Sequence, residues 1–309
     1  LGGFPAAYAE TQAEYMASGK ATEQEKLVAG CPEYAFNEYL QIGLEQGLVG
    51  LALFIGWLGL LFYKGIKNKR YACCGGLMSL AIFAFSSYPL QLPEFWVVLI
   101  FLGVMSVTPD KDEIRENQAE SNGHRWGKQI FFMGIAILGI GLFWMQKDHY
   151  KAYQQWNKAQ MFYNNKAYEA ALEVYEPLYP LLKHKPEFLF EAAQSLSKTG
   201  QYEKANEYLE RAVLLSSDPM LYYVMAKNEQ CLGEYRQAEK HLLHAIDILP
   251  ERIYPYYLLM NLYTEPSYFQ PAKLKMAIDS VLTKKPKVES SAIKEMKEKA
   301  RSMLNNTSI

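Results

Sequence analysis

The hydrophobic and polar positions divide this chain into an apolar part and a part with short-range amphipathic order. Residues from Gly47 to Tyr63 carry no charge, and their number is close to the roughly 20 that cross about 30 Å of hydrocarbon. Three more apolar runs follow, at Ala72–Tyr88, Leu90–Val107 and Ile130–Met145. We therefore predict an all-α chain with polytopic transmembrane helices: an external segment over residues 1–46, four spans within residues 47–145, and a water-soluble domain over residues 146–309.

Basic residues alternate between the loops and predict the orientation of the spans. The loop after the first span contains Lys64, Lys67, Lys69 and Arg70, and the loop before the fourth contains Lys111, Arg115, Arg125 and Lys128. The turn Pro89–Glu94 has neither Lys nor Arg. By the positive-inside rule both basic loops are cytoplasmic, so residues 1–46 and everything after Met145 lie outside the cytoplasm. The alternative is that these runs are buried helices of a soluble protein, and the alternating charge argues against it.

A polar helical face lies directly before the first apolar segment. Glu38, Gln41 and Glu45 recur at helical spacing, with Asn37 beside them. The opposite side of the same helix carries apolar or small residues, namely Phe36, Leu40, Gly43, Leu44 and Gly47. This arrangement predicts polar chemistry at a membrane surface.

A period of 33 to 34 residues runs through the second half of the chain. Five residues recur 33 positions later, namely Pro186, Gly200, Tyr202, Ala205 and Ala212 as Pro219, Gly233, Tyr235, Ala238 and Ala245. The pairs Tyr168 with Ala171 and Phe269 with Ala272 extend the pattern by 34 residues on either side. This resembles the tetratricopeptide repeat, so we predict an α-solenoid, closed by a capping helix over Ser290–Asn305. Its tyrosines predict either a partner-binding surface or a filled repeat core.

Composition adds mainly exclusions. The 309 residues have a net charge of −1, and no basic stripe with interleaved aromatics predicts nucleic-acid binding. Cys31, Cys73, Cys74 and Cys231 lack zinc or redox spacing, so we expect neither a metal nor a cofactor. Because the chain begins at Leu1 without a signal sequence, we expect it to be the C-terminal part of a longer protein.

The first half resembles the family of O-antigen ligases and O-antigen polymerases. The ligase branch shows a His, then Asn, Ser or Gln, nine further residues and GxxG. Here the matching positions are Phe36, Asn37, the nine residues 38–46, and Gly47 to Gly50. The spacing is kept, but a phenyl ring stands in place of the histidine and cannot transfer a proton.

The resemblance implies transfer of a glycan from a polyprenyl-pyrophosphate donor at the outer face of the inner membrane. Such chemistry needs a group that orients or deprotonates the attacking hydroxyl, and Glu38 and Glu45 are the catalytic candidates. Asn37 and Gln41 are expected to hydrogen-bond sugar hydroxyls. Gly47 and Gly50 are expected to allow close approach of a helix or a lipid chain.

Each of these six residues also has a structural interpretation, because polar residues before a membrane helix often lie in the headgroup region and glycines often serve packing. Arginines to bind the pyrophosphate are absent from residues 1–69 and are expected in a preceding part of the protein.

Two functions follow from these patterns. The first is a glycan polymerase or ligase of the cell inner membrane, acting on membrane lipid-linked glycans, whose periplasmic repeat domain recruits protein partners. The second is a membrane-anchored tetratricopeptide adaptor that catalyses nothing. A transporter is a weaker third, because the spans hold almost no ionisable residues. Whether the protein is an enzyme is left open by the sequence.

Overall fold

The computed structural model describes residues 3–108, 146–286 and 288–306, together with residues 133, 134, 137, 139, 141 and 144. Within them every regular element is a helix. The chain forms two compact units. One, which we call the repeat unit, contains Leu1–Glu33 and His149–Ile309; the other, the apolar unit, contains Tyr34–Asp148. The predicted external segment of residues 1–46 is thus divided between them.

The apolar unit contains three described helices: α3 (Glu38–Lys67), α4 (Tyr71–Ser86) and α5 (Pro93–Val107). Among the described residues, α3 alone has both the length and the apolar composition to cross a bilayer; α4 and α5 are apolar but shorter. Four leucines of these helices and one of the α4–α5 turn form a small core, namely Leu61, Leu77, Leu80, Leu90 and Leu99. The predicted span Ile130–Met145 lies outside the described residues except at isolated positions.

Much of the apolar surface of these helices is exposed. Leu48 is 81% exposed, Leu53 70% and Val97 68%. A helix from the interior of a soluble protein would bury such side chains. No described residue covers these side chains.

The third predicted span, Leu90–Val107, begins before the helix that the structure contains there. Residues Pro89–Gln91 form a short 3₁₀ helix, and α5 begins only at Pro93. Proline fixes its own φ and restricts the residue before it, so Pro93 serves as a first helical residue and Leu92 remains extended. The turn is held by Trp96, whose indole donates to the Leu90 carbonyl at 2.6 Å.

The repeat unit consists of antiparallel helical hairpins. They are α6 (Lys147–Asn164) with α7 (Tyr168–Leu182), α8 (Pro186–Lys198) with α9 (Tyr202–Val213), α10 (Met220–Leu232) with α11 (Tyr235–Ile248), and α12 (Ile253–Leu262) with α13 (Pro271–Thr283). Helix α14 (Ser291–Asn306) closes the series and buries Ala300 against the last hairpin, which confirms the predicted capping helix.

The predicted repeat residues lie where the hairpins require them. Ala171, Ala205 and Ala238 have no exposed surface, so neighbouring helices approach closely at these positions. Gly233 ends α10 in the left-handed conformation with φ 80°, and Gly200 has φ 83° between α8 and α9. Only glycine adopts this conformation without steric cost.

The predicted 34-residue equivalence is wrong for the last hairpin. Ala272 is exposed and Phe269 is 51% exposed. The 34-residue offset equates them with Ala238, which is fully buried, and Tyr235, which is half-buried. Residues Pro266–Tyr268 form a 3₁₀ turn that lengthens the connection. Tyr268, one residue before Phe269, stacks on Tyr235 at 5.6 Å between ring centroids.

The amino-terminal segment is part of the repeat unit. Helix α1 (Phe4–Ala17) packs on α11, and α2 (Glu23–Val28) follows it. Ala9 and Ala13 of α1 contact Ile248 and Leu249. The buried Gln12 amide donates to the Ile248 carbonyl at 2.7 Å and to the Gly30 carbonyl at 3.1 Å. No local sequence signal indicates this contact.

Candidate functional site

A groove of about 760 Å³ runs across the first helices of three successive hairpins, α8, α10 and α12. Its lining is mixed, with lysine, amide, tyrosine and apolar side chains: Gln194, Ser197, Lys198, Tyr202, Met220, Tyr223, Val224, Lys227, Asn228, Gln230, Cys231, Tyr254 and Glu265. The first helices present these residues because their opposite faces carry the buried repeat core.

Two lysines bring positive charge to the groove. Lys198 and Lys227 are both exposed, and the Lys227 ammonium donates to the Tyr254 hydroxyl at 2.5 Å while lying 5.2 Å from the centroid of its ring. Glu265 accepts from the Gln230 amide at 2.6 Å. The groove therefore combines positive charge with aromatic surface.

A half-buried carboxylate connects helices α6, α7 and α8. Glu191 of α8 accepts hydrogen bonds from the Trp156 indole at 2.7 Å, the Gln160 amide at 2.8 Å and the Tyr175 hydroxyl at 3.0 Å. Burial, and next the nearby Glu191 charge, raise the pKa of Tyr175. These bonds connect three helices through one side chain, so Glu191 positions the helices.

The tyrosines divide between the two predicted roles. Tyr175 is completely buried and Tyr208 is 8% exposed, and burial raises the pKa of Tyr208 to about 12. These two belong to the repeat core. Tyr202, Tyr223 and Tyr254 line the groove.

The predicted catalytic carboxylates have different surroundings in the apolar unit. Glu38 is 1% exposed, and its carboxylate accepts from the Leu90 backbone amide at 2.7 Å and from the Gln91 side chain at 3.3 Å. Glu45 is exposed and accepts from the Gln41 amide at 3.1 Å. Both oxygens of Glu38 are thus occupied by the α4–α5 turn, which sequence reasoning missed.

Asn37 and Gln41 organise the start of α3. The Asn37 side-chain oxygen accepts from the Leu40 amide at 3.0 Å and caps the helix. The buried Gln41 oxygen accepts from the Ala35 amide at 3.0 Å. Phe36, at the position of the family histidine, is exposed and meets Tyr88 edge to face at 5.3 Å. The six predicted residues therefore lie on one stretch of α3, and a sugar would compete with existing hydrogen bonds at most of them.

Glycine is required at Gly47 and at Gly50 for two different geometric reasons. Gly47 interrupts α3 with φ 75° and ψ 178°, a conformation that side-chain-bearing residues resist. A Cβ on Gly50 would lie 2.6 Å from the Gln46 Cβ, closer than atoms can approach. The interruption lies at the end of the face that the sequence predicted from Phe36 to Gly47, and it separates that face from the apolar segment that follows.

Among the residues that the structure describes, no three His, Cys, Asp or Glu side chains converge as metal ligands would.

Comparison with known proteins concerns the repeats. The model of the family described as anaphase-promoting complex, cyclosome, subunit 3 matches residues 164–245, less than half of the chain. A search of curated proteins found no match. Together with the hairpins described above, the family match defines an all-α protein with a tetratricopeptide-like repeat domain.

Solved structures with similar folds are distant in sequence. MamA is 16% identical over 50% of this chain and 88% of its own, with a TM-score of 0.40. A putative kinesin light chain of Podosopora anserina with nearly identical TPR-like repeats is 16% identical over 51% and 88%, with a TM-score of 0.39. The Yersinia enterocolitica type III secretion chaperone SycD, in complex with a peptide of the translocator YopD, is 19% identical over 40% and 90%, with a TM-score of 0.33.

Proposed function

We propose that this protein is a membrane-anchored tetratricopeptide adaptor that holds a partner polypeptide in the groove of its repeat unit. The observation that carries this proposal is the groove across α8, α10 and α12, which is open and lined by cations, amides and aromatic rings. Stacked helical hairpins offer an extended surface for an extended partner.

The lining indicates the chemistry of that partner. Lys198 and Lys227 favour an acidic side chain, and the ring of Tyr254 with Met220 favours an apolar one. A segment of a protein in which acidic and apolar residues alternate over a few positions fits both. The expected affinity comes mainly from the apolar contacts, and the lysines add selectivity.

The anchor is the apolar unit, with the repeat unit in the periplasm and the spans in the inner membrane. The segments that precede and follow the apolar unit in the sequence pack together: the Gln12 side chain of α1 donates a hydrogen bond to the Ile248 carbonyl of α11. A chain whose two flanks lie on one side crosses a bilayer an even number of times. Helices α3, α4 and α5 give an odd number, and a crossing by the predicted span 130–145 makes it even. The positive-inside rule supports flanks outside the cytoplasm, because the loops after the first span and before the fourth are basic.

Charge reversal in the groove tests the adaptor function. The full chain in native membranes is cross-linked, and its cross-linked partners are compared between the wild type and Lys198→Glu/Lys227→Glu. We expect the reversal to remove the partner, whereas Lys183→Glu/Lys240→Glu keeps it, because these exposed lysines lie outside the groove. An identical partner pattern in both double variants would contradict the proposal.

Glycan transfer is the second candidate, favoured by the convergence of Glu38, Gln41 and Glu45 at the start of α3 beside an interrupted helix. In this function Glu45 is the freer base, because Glu38 is bonded to the turn. Asn37→Ala and Glu45→Gln in the full-length gene should then shorten or abolish the surface glycan. Glycan chains of unchanged length and amount in both variants count against transfer.

A further inference from the structure

One buried polar group of the repeat unit lacks a partner. Tyr223 is 4% exposed, and among the described residues its hydroxyl forms no hydrogen bond. Leaving a buried hydroxyl unpaired costs free energy, and such groups in folded proteins usually have a reason. The hydroxyls of Tyr175, Tyr256 and Tyr263 are all bonded, so the condition of Tyr223 is specific to its site.

Tyr223 lines a pocket of about 550 Å³ where the amino-terminal segment meets the repeats. The pocket is formed by the loop 216–219, the residues around Arg252, and Cys31 with Glu33. The Ser217 hydroxyl donates to the Pro32 carbonyl at 3.3 Å and joins the two sides. Met220, Leu249 and Tyr254 supply apolar surface.

A guanidinium and the start of a helix bring positive charge to this pocket. Arg252 is exposed, and its guanidinium forms no ion pair or side-chain hydrogen bond with the described residues. It is also the residue before α12, whose first turn has no side-chain cap, so unpaired backbone amides and the positive end of the helix lie beside it. Arg252 and Tyr223 line the same pocket; burial raises the pKa of Tyr223, and the charge of Arg252 opposes that rise.

Acidic residues limit the charge that the pocket accepts. Asp218 lines it, and one oxygen of its carboxylate accepts a hydrogen bond from the Met220 backbone amide at 2.9 Å. Glu33 is exposed at the rim. One guanidinium facing two carboxylates disfavours a doubly charged phosphate more than a singly charged carboxylate, and the planar fork of arginine matches a carboxylate.

We propose that this pocket binds a carboxylate group, with the Arg252 guanidinium and the Tyr223 hydroxyl as its donors and with an apolar substituent against Met220 and Leu249. The site goes beyond the adaptor function, because it needs the amino-terminal segment and Arg252, neither of which lines the groove. The carboxylate belongs either to a small metabolite or to the end of a peptide.

Calorimetric titration of the full chain in detergent tests the site with matched probes. N-acetylleucine carries the carboxylate, N-acetylleucinamide lacks it, and inorganic phosphate supplies a second anion. We expect heat of binding with N-acetylleucine alone at concentrations up to about 10 mM, which detects a Kd of about 1 mM. Acetyl-Ala-Ala-Leu then distinguishes the sources: an affinity about tenfold higher assigns a peptide end, and an equal affinity assigns a small carboxylate.

Two variants separate a binding site from a structural pocket. Arg252→Gln should weaken binding about tenfold or more, and Arg252→Lys should weaken it less because the charge remains. Tyr223→Phe should also weaken binding, yet raise the thermal midpoint of the free protein by about 2–4 °C because the unpaired hydroxyl is gone. Equal heats from N-acetylleucine and its amide, or unchanged binding in Arg252→Gln, overturn the proposal.

The adaptor function and this site fail independently. Lys198→Glu should leave carboxylate binding unchanged, because Lys198 lines the groove and not this pocket. Loss of carboxylate binding in that variant would also overturn the assignment to Arg252 and Tyr223.

Discussion

The Glu38 carboxylate accepts a hydrogen bond from the Leu90 backbone amide at 2.7 Å, across 52 positions of sequence. This contact ties the start of α3 to the turn between α4 and α5. The contact gives Glu38 a structural role. A carboxylate that already accepts two hydrogen bonds is less available to take a proton from a substrate.

Glu38→Ala should therefore destabilise the apolar unit. The change leaves the buried Leu90 amide without an acceptor, and we expect a loss of about 1–3 kcal/mol. Glu38→Gln, which keeps one acceptor oxygen, should lose less. Thermal unfolding in detergent measures both. A Glu38→Ala protein of wild-type stability that has lost a cellular activity would instead point to catalysis.

Gly47→Ala should cost about 1–3 kcal/mol, because alanine resists the backbone conformation at this position. Gly59→Ala is the matched control in the same helix, since it has ordinary φ and no atom within 4 Å of an added Cβ. The folded yield after detergent extraction reports the difference. Equal yields for the two variants would show that α3 is not interrupted at Gly47.

Two alanines test the alignment of the repeats. Ala238→Leu inserts atoms into a position with no exposed surface and should destabilise the repeat unit by about 1–3 kcal/mol. Ala272→Leu should change stability little, because Ala272 is exposed. Urea unfolding followed by circular dichroism measures both. Similar losses would restore the 34-residue equivalence that the structure rejects.

Stability of the last hairpins should fall in acid because of Glu239. Burial raises the pKa of its carboxyl, but hydrogen bonds from Lys273 at 2.7 Å and from Tyr263 and Tyr268 at 2.6 Å hold it below the usual 4.5. A depressed folded-state pKa contributes stability above the unfolded value, and that contribution is lost as the pH falls through the folded value.

Glu239→Gln should accordingly be less stable than the wild type near neutral pH, and the difference should shrink below pH 4.5. Glu234→Gln serves as the control, because Glu234 is exposed. Thermal midpoints at a series of pH values give the comparison. A difference between Glu239→Gln and wild type that is constant with pH would contradict the assigned cause.

Labelling of cysteines checks the shared side of the two flanks. Cys31 precedes the apolar unit and Cys231 lies in α10, so an impermeant thiol reagent should reach both or neither in intact spheroplasts, and we expect both. Variants with Ser at one of the two positions identify the labelled site. Labelling of one cysteine before lysis and of the other only afterwards would break the even number of crossings.

The sequence by itself determined the repeats, because a hairpin packs against its neighbour through residues that return at a fixed interval. Ala205 and Ala238, like Gly200 and Gly233, are constrained by contacts one repeat away, so their spacing is visible without coordinates. The cap of α3 at Asn37 was not predicted, because Asn37 was interpreted as a sugar ligand, although a helix start depends on local hydrogen bonds. The extra turn at Pro266–Tyr268 was not predicted, because an insertion in one connection shifts the register of the repeat that follows it.

Only the tertiary structure decided which polar groups meet. Gln12 and Ile248 are 236 positions apart, and Glu38 finds Leu90 only once α3, α4 and α5 have packed. The unpaired hydroxyl of Tyr223 is equally invisible in the sequence, where it resembles the other tyrosines of the repeats. Hydrogen-bond partners depend on distances and angles set by the whole packing arrangement, whereas periodicity depends on neighbouring units alone.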